Sequence, residues 1–253
     1  MKFLAIIPAR YASTRFPAKP LAMLGGRPII QRVYEQVSRV FDHVCVATDD
    51  ERILNAVEAF GGVAVMTSTS HRSGTDRCFE AYTKSGLDVD VVVNVQGDEP
   101  FIAESQLRSV MACFDDAQTQ IATLVKPFSH DCPMEVIENP NSPKVVTDSN
   151  GYALYFSRSV IPYLRGVERS EWPAHHTFLK HIGLYAYRVD VLKQITSMPM
   201  GELETCESLE QLRWLQAGYR IKVGQTDIET IGIDTPEDLA RAEEFLKTKE
   251  QDN

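Results

Sequence analysis

The sequence predicts an α/β fold in which a mostly parallel sheet carries an inserted, smaller subdomain of mixed or antiparallel strands. Three observations point there. Through the first half of the chain, short apolar runs alternate with stretches of helical periodicity, the signature of βα units. Residues 90–95 (DVVVNV) form a nearly continuous β-branched run, as a central strand covered on both faces requires. After Val125 the pattern breaks, and Pro127, Pro133, Pro140 and Pro143 cut the chain into short pieces.

The elements follow in order. Residues 3–8 are the first strand. From Ile29 onward, Ile29, Ile30, Val33, Val37, Val40 and Phe41 fall on one face of a 3.6-residue repeat, with Gln31, Arg32, Glu35 and Arg39 opposite, which predicts an amphipathic helix. Residues 43–48 are the second strand, 51–60 a helix closed by Gly61-Gly62, and 63–66 the third strand. Residues 75–84 are helical, 90–95 the central strand and 121–125 another. Strands at 145–147, 152–156 and 181–188 suit an antiparallel insert, and alternation returns at 220–223. A last helix over 236–247 has Thr235 as N-cap, Pro236 at its first position and Glu237 and Asp238 in its first turn, all favourable there. Residues 1–126 and 212–253 then make the main domain and 127–211 the insert.

At 253 residues and about 150 per domain, one large or two modest domains are expected. Apolar residues at 43% and charged residues at 24% are globular values. The net charge of −9 disfavours nucleic acid and anionic lipid as partners, and means that an anionic ligand must be captured by clustered cations. Five cysteines, none in a C-x-x-C pair, read as reduced thiols. The apolar run 3–7 is too short for a signal segment or a membrane span, so a cytoplasmic protein without membrane attachment is expected.

The most informative segment follows the first strand: PARYASTRFPAKPL, residues 8–21. In an open α/β sheet, ligands bind beyond the carboxyl ends of the strands. Arg10, Arg15 and Lys19 cluster there, and small residues at 12–14 let main-chain N–H groups approach an anion. A triphosphate suits this loop, although basic residues also serve solubility. Neither G-x-G-x-x-G nor G-x-x-x-x-G-K-[ST] occurs, which removes the best support for a dinucleotide-dependent oxidoreductase or a P-loop enzyme. In NVQGDEP, residues 94–100, Gly97 permits a tight turn while Asp98 and Glu99 offer the hard oxygen donors that Mg²⁺ takes beside substrate phosphates; a solvated turn reads as well. Asp234 precedes the last helix's cap, so its carboxylate is free to join Asp98 on a metal, but spacing alone does not bring the two together.

These segments, with HRSGTDR at 71–77, VNVQGDEP at 93–100, NPNSPKVV at 139–146, GYALYFSRSVIP at 151–162, HIGLYAYR at 181–188, ESLEQLR at 207–213 and IDTPEDL at 233–239, resemble the 3-deoxy-manno-octulosonate cytidylyltransferases. Eight matches run in order across nearly the whole chain. The resemblance implies a Rossmann-like nucleotidyltransferase sheet and transfer of CMP from CTP to the 2-hydroxyl of the sugar acid Kdo, with pyrophosphate released, for lipopolysaccharide synthesis. It also implies Mg²⁺ and a cytoplasmic homodimer. Residues 1–126 and 212–253 become the nucleotide-binding domain, and 127–211 the acceptor-sugar and dimerisation subdomain.

Carried over by position, the resemblance gives Arg10, Ala12, Ser13, Thr14, Arg15 and Lys19 to the triphosphate, and Ser73, Gly74, Arg77 and Gln96 to the nucleotide. Asp98 and Asp234 fall on the metal ligands, with Arg10, Arg15, Lys19 and Asp98 catalytic. Gln96, Arg158, His181, Tyr185, Glu210 and Gln211 fall around Kdo, where an arginine fork suits the carboxylate and amide, imidazole, phenol and carboxylate groups suit the hydroxyls. Residues 71–75 also read as a helix start with Gly74 as the turn and Thr75 as cap. His181 and Tyr185, four apart on a strand, face one side, as a core pair would too. Ala18 departs from the pattern, standing where glycine is expected. Residues 166–177, with His175 and His176, match no motif; a solvated loop is favoured over a metal site. A transferase for another sugar acid such as sialic acid, and a non-catalytic CTP sensor, are the competing expectations.

Overall fold

The computed structural model describes residues 1–12, 15–229 and 231–251, the side chains of 249–251 excepted. Along the chain lie β1 (Phe3–Ala9), β2 (Met23–Leu24), β3 (Arg27–Pro28), α1 (Ile29–Val37), β4 (Val44–Thr48), α2 (Glu51–Ala59), β5 (Ala64–Met66), α3 (Gly74–Ser85), β6 (Val91–Asn94) and α4 (Glu104–Ala112). Then come β7 (Ile121–Pro127), α5 (Met134–Glu138), β8 (Lys144–Thr147), β9 (Ala153–Ser157), α6 (Trp172–His175), β10 (Leu179–Arg188), α7 (Val189–Ile195), α8 (Glu202–Glu207), α9 (Gln211–Gln216), β11 (Ile221–Gln225) and α10 (Pro236–Gln251).

Two compact units emerge. The first comprises Met1–Leu107, Arg188–Thr196 and Thr230–Asn253. Four of its strands pair in parallel in the order β6-β1-β4-β5, with Ile6 opposite both Cys45 and Asn94, while the short β2 and β3 pair antiparallel with each other. All four runs are apolar because both faces of a parallel sheet are covered, and Val91, Val92 and Val93 are wholly buried. The helices present the expected stripes: α1 buries Ile29, Ile30, Val33 and Val37. Since the strands run alike, their carboxyl ends share one edge, and the loops after β1, β5 and β6 gather there.

The second unit comprises Arg108–Tyr187 and Ser197–Glu229. Here β7 pairs in parallel with β11 and antiparallel with β10, β10 antiparallel with β8, and β8 antiparallel with β9, the mixed arrangement expected of the insert. The units are drawn differently from the expected division at 126/127 and 211/212. β7 exchanges its ladder bonds with β10 and β11, which carries residues 108–126 and 212–229 into this unit. α7 joins the first unit, where the Val189 N–H donates to the Asp90 carbonyl at 3.1 Å.

The unassigned stretch 166–177 is mostly exposed, His175 included, but it plants Trp172 in the core. Trp172 is buried with Met134, Ile137 and Phe178, its indole N–H donates to the Val167 carbonyl at 3.1 Å, and the Tyr163 ring meets it edge-on at 4.9 Å. An indole so placed contributes about 4 kcal/mol or more of transfer free energy. All five cysteines are free thiols, as expected.

Candidate functional site

The loop after β1 is shaped by its main chain. The Ala18 N–H donates to the Tyr11 carbonyl at 3.0 Å, and the Arg52 guanidinium carbon sits 3.3 Å from the centroid of the Tyr11 ring, which fastens the loop to the start of α2. Ala18 itself has φ 59° and ψ 17°, the left-handed conformation that glycine occupies without strain. From that reversal a single 3-10 turn, Lys19–Leu21, begins and directs the Lys19 side chain inward; only 13% of it is exposed.

Lys19 Nζ lies 2.6 Å from Asp98 Oδ2 and 3.0 Å from Asp234 Oδ1, and Arg15 Nη2 lies 3.1 Å from Asp234 Oδ2. Asp98 is held by the turn after β6. Gly97 is required there, because a Cβ on it would stand 2.8 Å from the Pro8 carbonyl oxygen. Asp234 is brought in by the main chain: the Ile233 N–H donates to the Asp98 carbonyl at 2.9 Å. The start of α10 is served by other groups. Asp238 Oδ2 accepts from the N–H groups of Asp234 and Thr235, and Thr235 Oγ1 accepts from the Asp238 N–H, a capping box that leaves the Asp234 carboxylate for the cations. The two acids that spacing could not connect therefore meet.

Around them opens a cavity of about 460 Å³, within the range of small-molecule sites, about 300–1,000 Å³. Arg10, Arg15, Lys19, Ser73, Gly74, Arg77, Gln96, Asp98 and Asp234 all line it, so most of the residues expected at the nucleotide come together. Ala12 is exposed and outside the lining; Ser13 and Thr14 lie outside the described residues. The lining also holds two basic side chains that the sequence reading assigns no role, His71 and Arg72, although both stand in the HRSGTDR segment.

That segment differs in detail from expectation. Ser73, not Thr75, caps α3, its Oγ accepting from the Asp76 N–H at 3.1 Å. A β-region residue just before the first helical turn has the geometry for this; Thr75, inside the helix, does not. Arg77 is largely engaged within the protein: its guanidinium donates to Asp49 Oδ2 at 2.7 Å and Thr67 Oγ1 at 2.6 Å, clamping α3 to the ends of β4 and β5. Glu80 gathers the preceding loop by accepting from the Ser68 N–H at 2.9 Å and pairing with His71 and Lys84. Burial opposes its charge, but these three partners hold its carboxyl down at about 2.

Of the residues expected at the acceptor, Gln96 lines the cavity just described, and the others form a second group within the second unit. The His181 ring is enclosed by Phe156 at 5.1 Å, Tyr185 at 5.4 Å and the Thr123 hydroxyl at 3.0 Å. Since the single Thr123 proton is directed to the carbonyls of Leu184 and Ile182 at 2.9 and 3.1 Å, its lone pair accepts from His181 Nε2–H, which leaves Nδ1 an acceptor. Burial pushes the imidazole down to about 3, so it is neutral. The ladder with β7 shifts register between Ile182 and Tyr185. Among the described residues, the buried Tyr185 hydroxyl, Gln211 Nε2 and Trp214 Nε1 have no hydrogen-bond partner. Burial, and then Glu210, raise the Tyr185 phenol well above its ordinary range. Glu210 sits just before α9 and pairs with Arg213 at 2.8 Å.

Arg158 is less free than a carboxylate fork requires. Its Nε, Nη1 and Nη2 donate to the carbonyls of Glu207, Pro140 and Ser208 at 2.6, 2.8 and 3.2 Å, leaving two of its five N–H groups.

Among the described residues, no group of three or more histidine, cysteine or acidic side chains is arranged to hold a metal. The Asp98 and Asp234 pair is nevertheless a fitting donor set for Mg²⁺, which binds through one or two carboxylates and completes its shell with water and substrate phosphates. The two acids already converge on one cation, the Lys19 ammonium.

The chain also resembles known proteins along nearly its whole length. The profile described as "Cytidylyltransferase" matches residues 4–223. A 3-deoxy-manno-octulosonate cytidylyltransferase of Phocaeicola vulgatus is 69% identical over 99% of this chain and 99% of its own. One of Bacteroides thetaiotaomicron is 68% identical over 98% of this chain and 100% of its own. Among solved structures, a CMP:2-keto-3-deoxy-manno-octonic acid synthetase complexed with CTP superposes with a TM-score of 0.90 at 40% identity, covering 98% of this chain and 100% of that one.

Proposed function

The chain belongs to the cytidylyltransferase family, among its 3-deoxy-manno-octulosonate members, and from that premise we propose how its residues perform the reaction. It is a nucleotidyltransferase that transfers CMP from CTP to 3-deoxy-manno-octulosonate (Kdo). None of the relatives described above favours sialic acid as the acceptor.

In the proposed mechanism the Kdo 2-hydroxyl attacks the α-phosphorus of CTP in line: the new O–P bond forms as the bond to the β-phosphate bridging oxygen breaks, the hydroxyl proton passes to solvent, and pyrophosphate departs. Such transfers depend on positioning and on neutralising charge. Arg10, Arg15 and Lys19 serve the phosphate chain, Ser73 and Gly74 the base, and Gln96 both the nucleotide and the acceptor. Asp98 and Asp234 would hold Mg²⁺, which when bound supplies positive charge to phosphate oxygens. No covalent intermediate with the protein is needed.

In the second unit, His181, Tyr185, Glu210 and Gln211 serve the acceptor. An unpartnered buried hydroxyl or amide costs about 1–3 kcal/mol, and a polyhydroxylated sugar acid would meet Tyr185 and Gln211 with its own hydroxyls. Arg158 is assigned mainly the ordering of residues 140 and 207–208, with its two remaining N–H groups available to the carboxylate. The product feeds lipopolysaccharide synthesis, and the enzyme acts as a cytoplasmic homodimer. No helix among the described residues is long and apolar enough to cross a membrane.

The observation that carries this reading is the meeting of Asp98 and Asp234 at one nitrogen on the rim of a cation-lined cavity. Incubation with CTP, Mg²⁺ and Kdo should give a CMP-sugar by mass spectrometry and one pyrophosphate per transfer, and sialic acid in place of Kdo should give none. Absence of product with Kdo sinks the reading.

A further inference from the structure

Five cations line the nucleotide cavity: Arg10, Arg15, Lys19, Arg72 and Arg77. Three of them are already engaged by acids. Lys19 is shared by Asp98 and Asp234, Arg15 faces Asp234, and Arg77 is bound by Asp49. Arg10 and Arg72 have no hydrogen-bonding or ionic partner among the described residues. In a chain of net charge −9, a triphosphate must be captured by cations that are both local and uncompensated.

We propose that Arg72 binds the phosphate chain of CTP and is the nucleotide-contacting arginine of segment 71–77, in the place expected for Arg77. The proposal rests on the cytidylyltransferase reading above. Arg77 could turn to a phosphate only by releasing two short hydrogen bonds and leaving the Asp49 carboxylate, 17% exposed, without its partner. Arg72 breaks nothing: its exposed guanidinium gives up only water and rotamer freedom. Its place is also fixed. On one side Glu80 holds His71 and the Ser68 N–H, and on the other Ser73 is committed as the cap of α3. Arg72 thus projects from an anchored piece of chain on the wall that carries Ser73 and Gly74.

The test compares Arg72→Ala and Arg72→Lys with the wild type, measuring CTP binding by calorimetry, CTP KM and kcat by pyrophosphate release, and inhibition by cytidine, which has no phosphate. Arg72→Ala should weaken CTP binding and raise its KM about tenfold, the scale of one lost charge-assisted contact in an open site. Its kcat should stay within about threefold, inhibition by cytidine should be unchanged, and the salt dependence of CTP binding should become shallower. Arg72→Lys should recover part of the affinity. If Arg72→Ala binds CTP within twofold of the wild type, or loses cytidine as fully as CTP, the proposal is overturned and the family activity stands. If the wild type binds no CTP, both fall.

Discussion

The main-chain N–H of Ile233 donates to the main-chain carbonyl of Asp98 at 2.9 Å, and this bond sets the next side chain, Asp234, beside the Asp98 carboxylate. Because the contact is made by backbone, it depends on the shapes of the Q-G-D turn and of the entry to α10, not on either acid. The carboxylates can therefore be changed without dismantling the place they occupy.

Asp98→Asn should lower kcat by about 10² or more, the loss seen when one preorganised electrostatic contact is removed, while the melting temperature moves by no more than a few degrees. Asp234→Asn should act in the same direction. The double variant should fall well short of the product of the single effects, since both acids serve one cation. Pyrophosphate release measures the rates, and near-normal turnover by Asp98→Asn would exclude its assigned role.

Ala18 has φ 59°, in the region that costs an L-residue about 1–2 kcal/mol. Glycine removes that strain and returns about 0.4–1 kcal/mol as extra freedom of the unfolded chain. Ala18→Gly should therefore raise the unfolding free energy by about 0.5–1 kcal/mol, read from urea midpoints. A loss of stability would show that the alanine conformation is relaxed.

Arg77→Ala removes two hydrogen bonds from a nearly buried guanidinium and leaves Asp49 and Thr67 without it. A destabilisation of about 1–3 kcal/mol is expected. The folded fraction of this variant should keep a CTP affinity within about threefold of the wild type, the opposite of the pattern expected for Arg72→Ala.

His181 is neutral in the fold, with burial pushing it down to about 3 against about 6.5 in the unfolded chain. Between those values the unfolded state binds the extra proton, so stability falls as pH falls. From pH 7 to 5 the loss from His181 is about 2 kcal/mol. His176, lowered by burial and by His130, acts in the same sense, whereas Glu80, held down at about 2, acts only below this window. Urea midpoints at pH 7 and 5 should differ clearly in the wild type and much less in His181→Gln. Equal slopes in both proteins would refute this account.

Much of this architecture is written in local pattern. The four parallel strands, α1, α2 and the capping residues of α10 follow from periodicity and cap chemistry, both of which act within a few residues. The clamp on Arg77 does not, because its partner Asp49 lies beyond the end of another strand, and nothing in residues 71–77 marks it. For the same reason Arg72 passes unnoticed: an arginine reads alike in sequence whether its charge is answered or not. Local pattern predicts neither α4 nor α7, since neither follows a strong start signal. The convergence of Asp98 and Asp234 rests on one backbone contact between distant turns, and the resemblance, not the spacing, led to it.

The second carboxylate comes from the entry to α10, in a segment far along the chain from Asp98. Without the Ile233–Asp98 contact, the cation-lined wall would keep Asp98 and lose its second acid. On the proposed mechanism, docking of that one backbone contact is what couples the two distant turns into a single working pair.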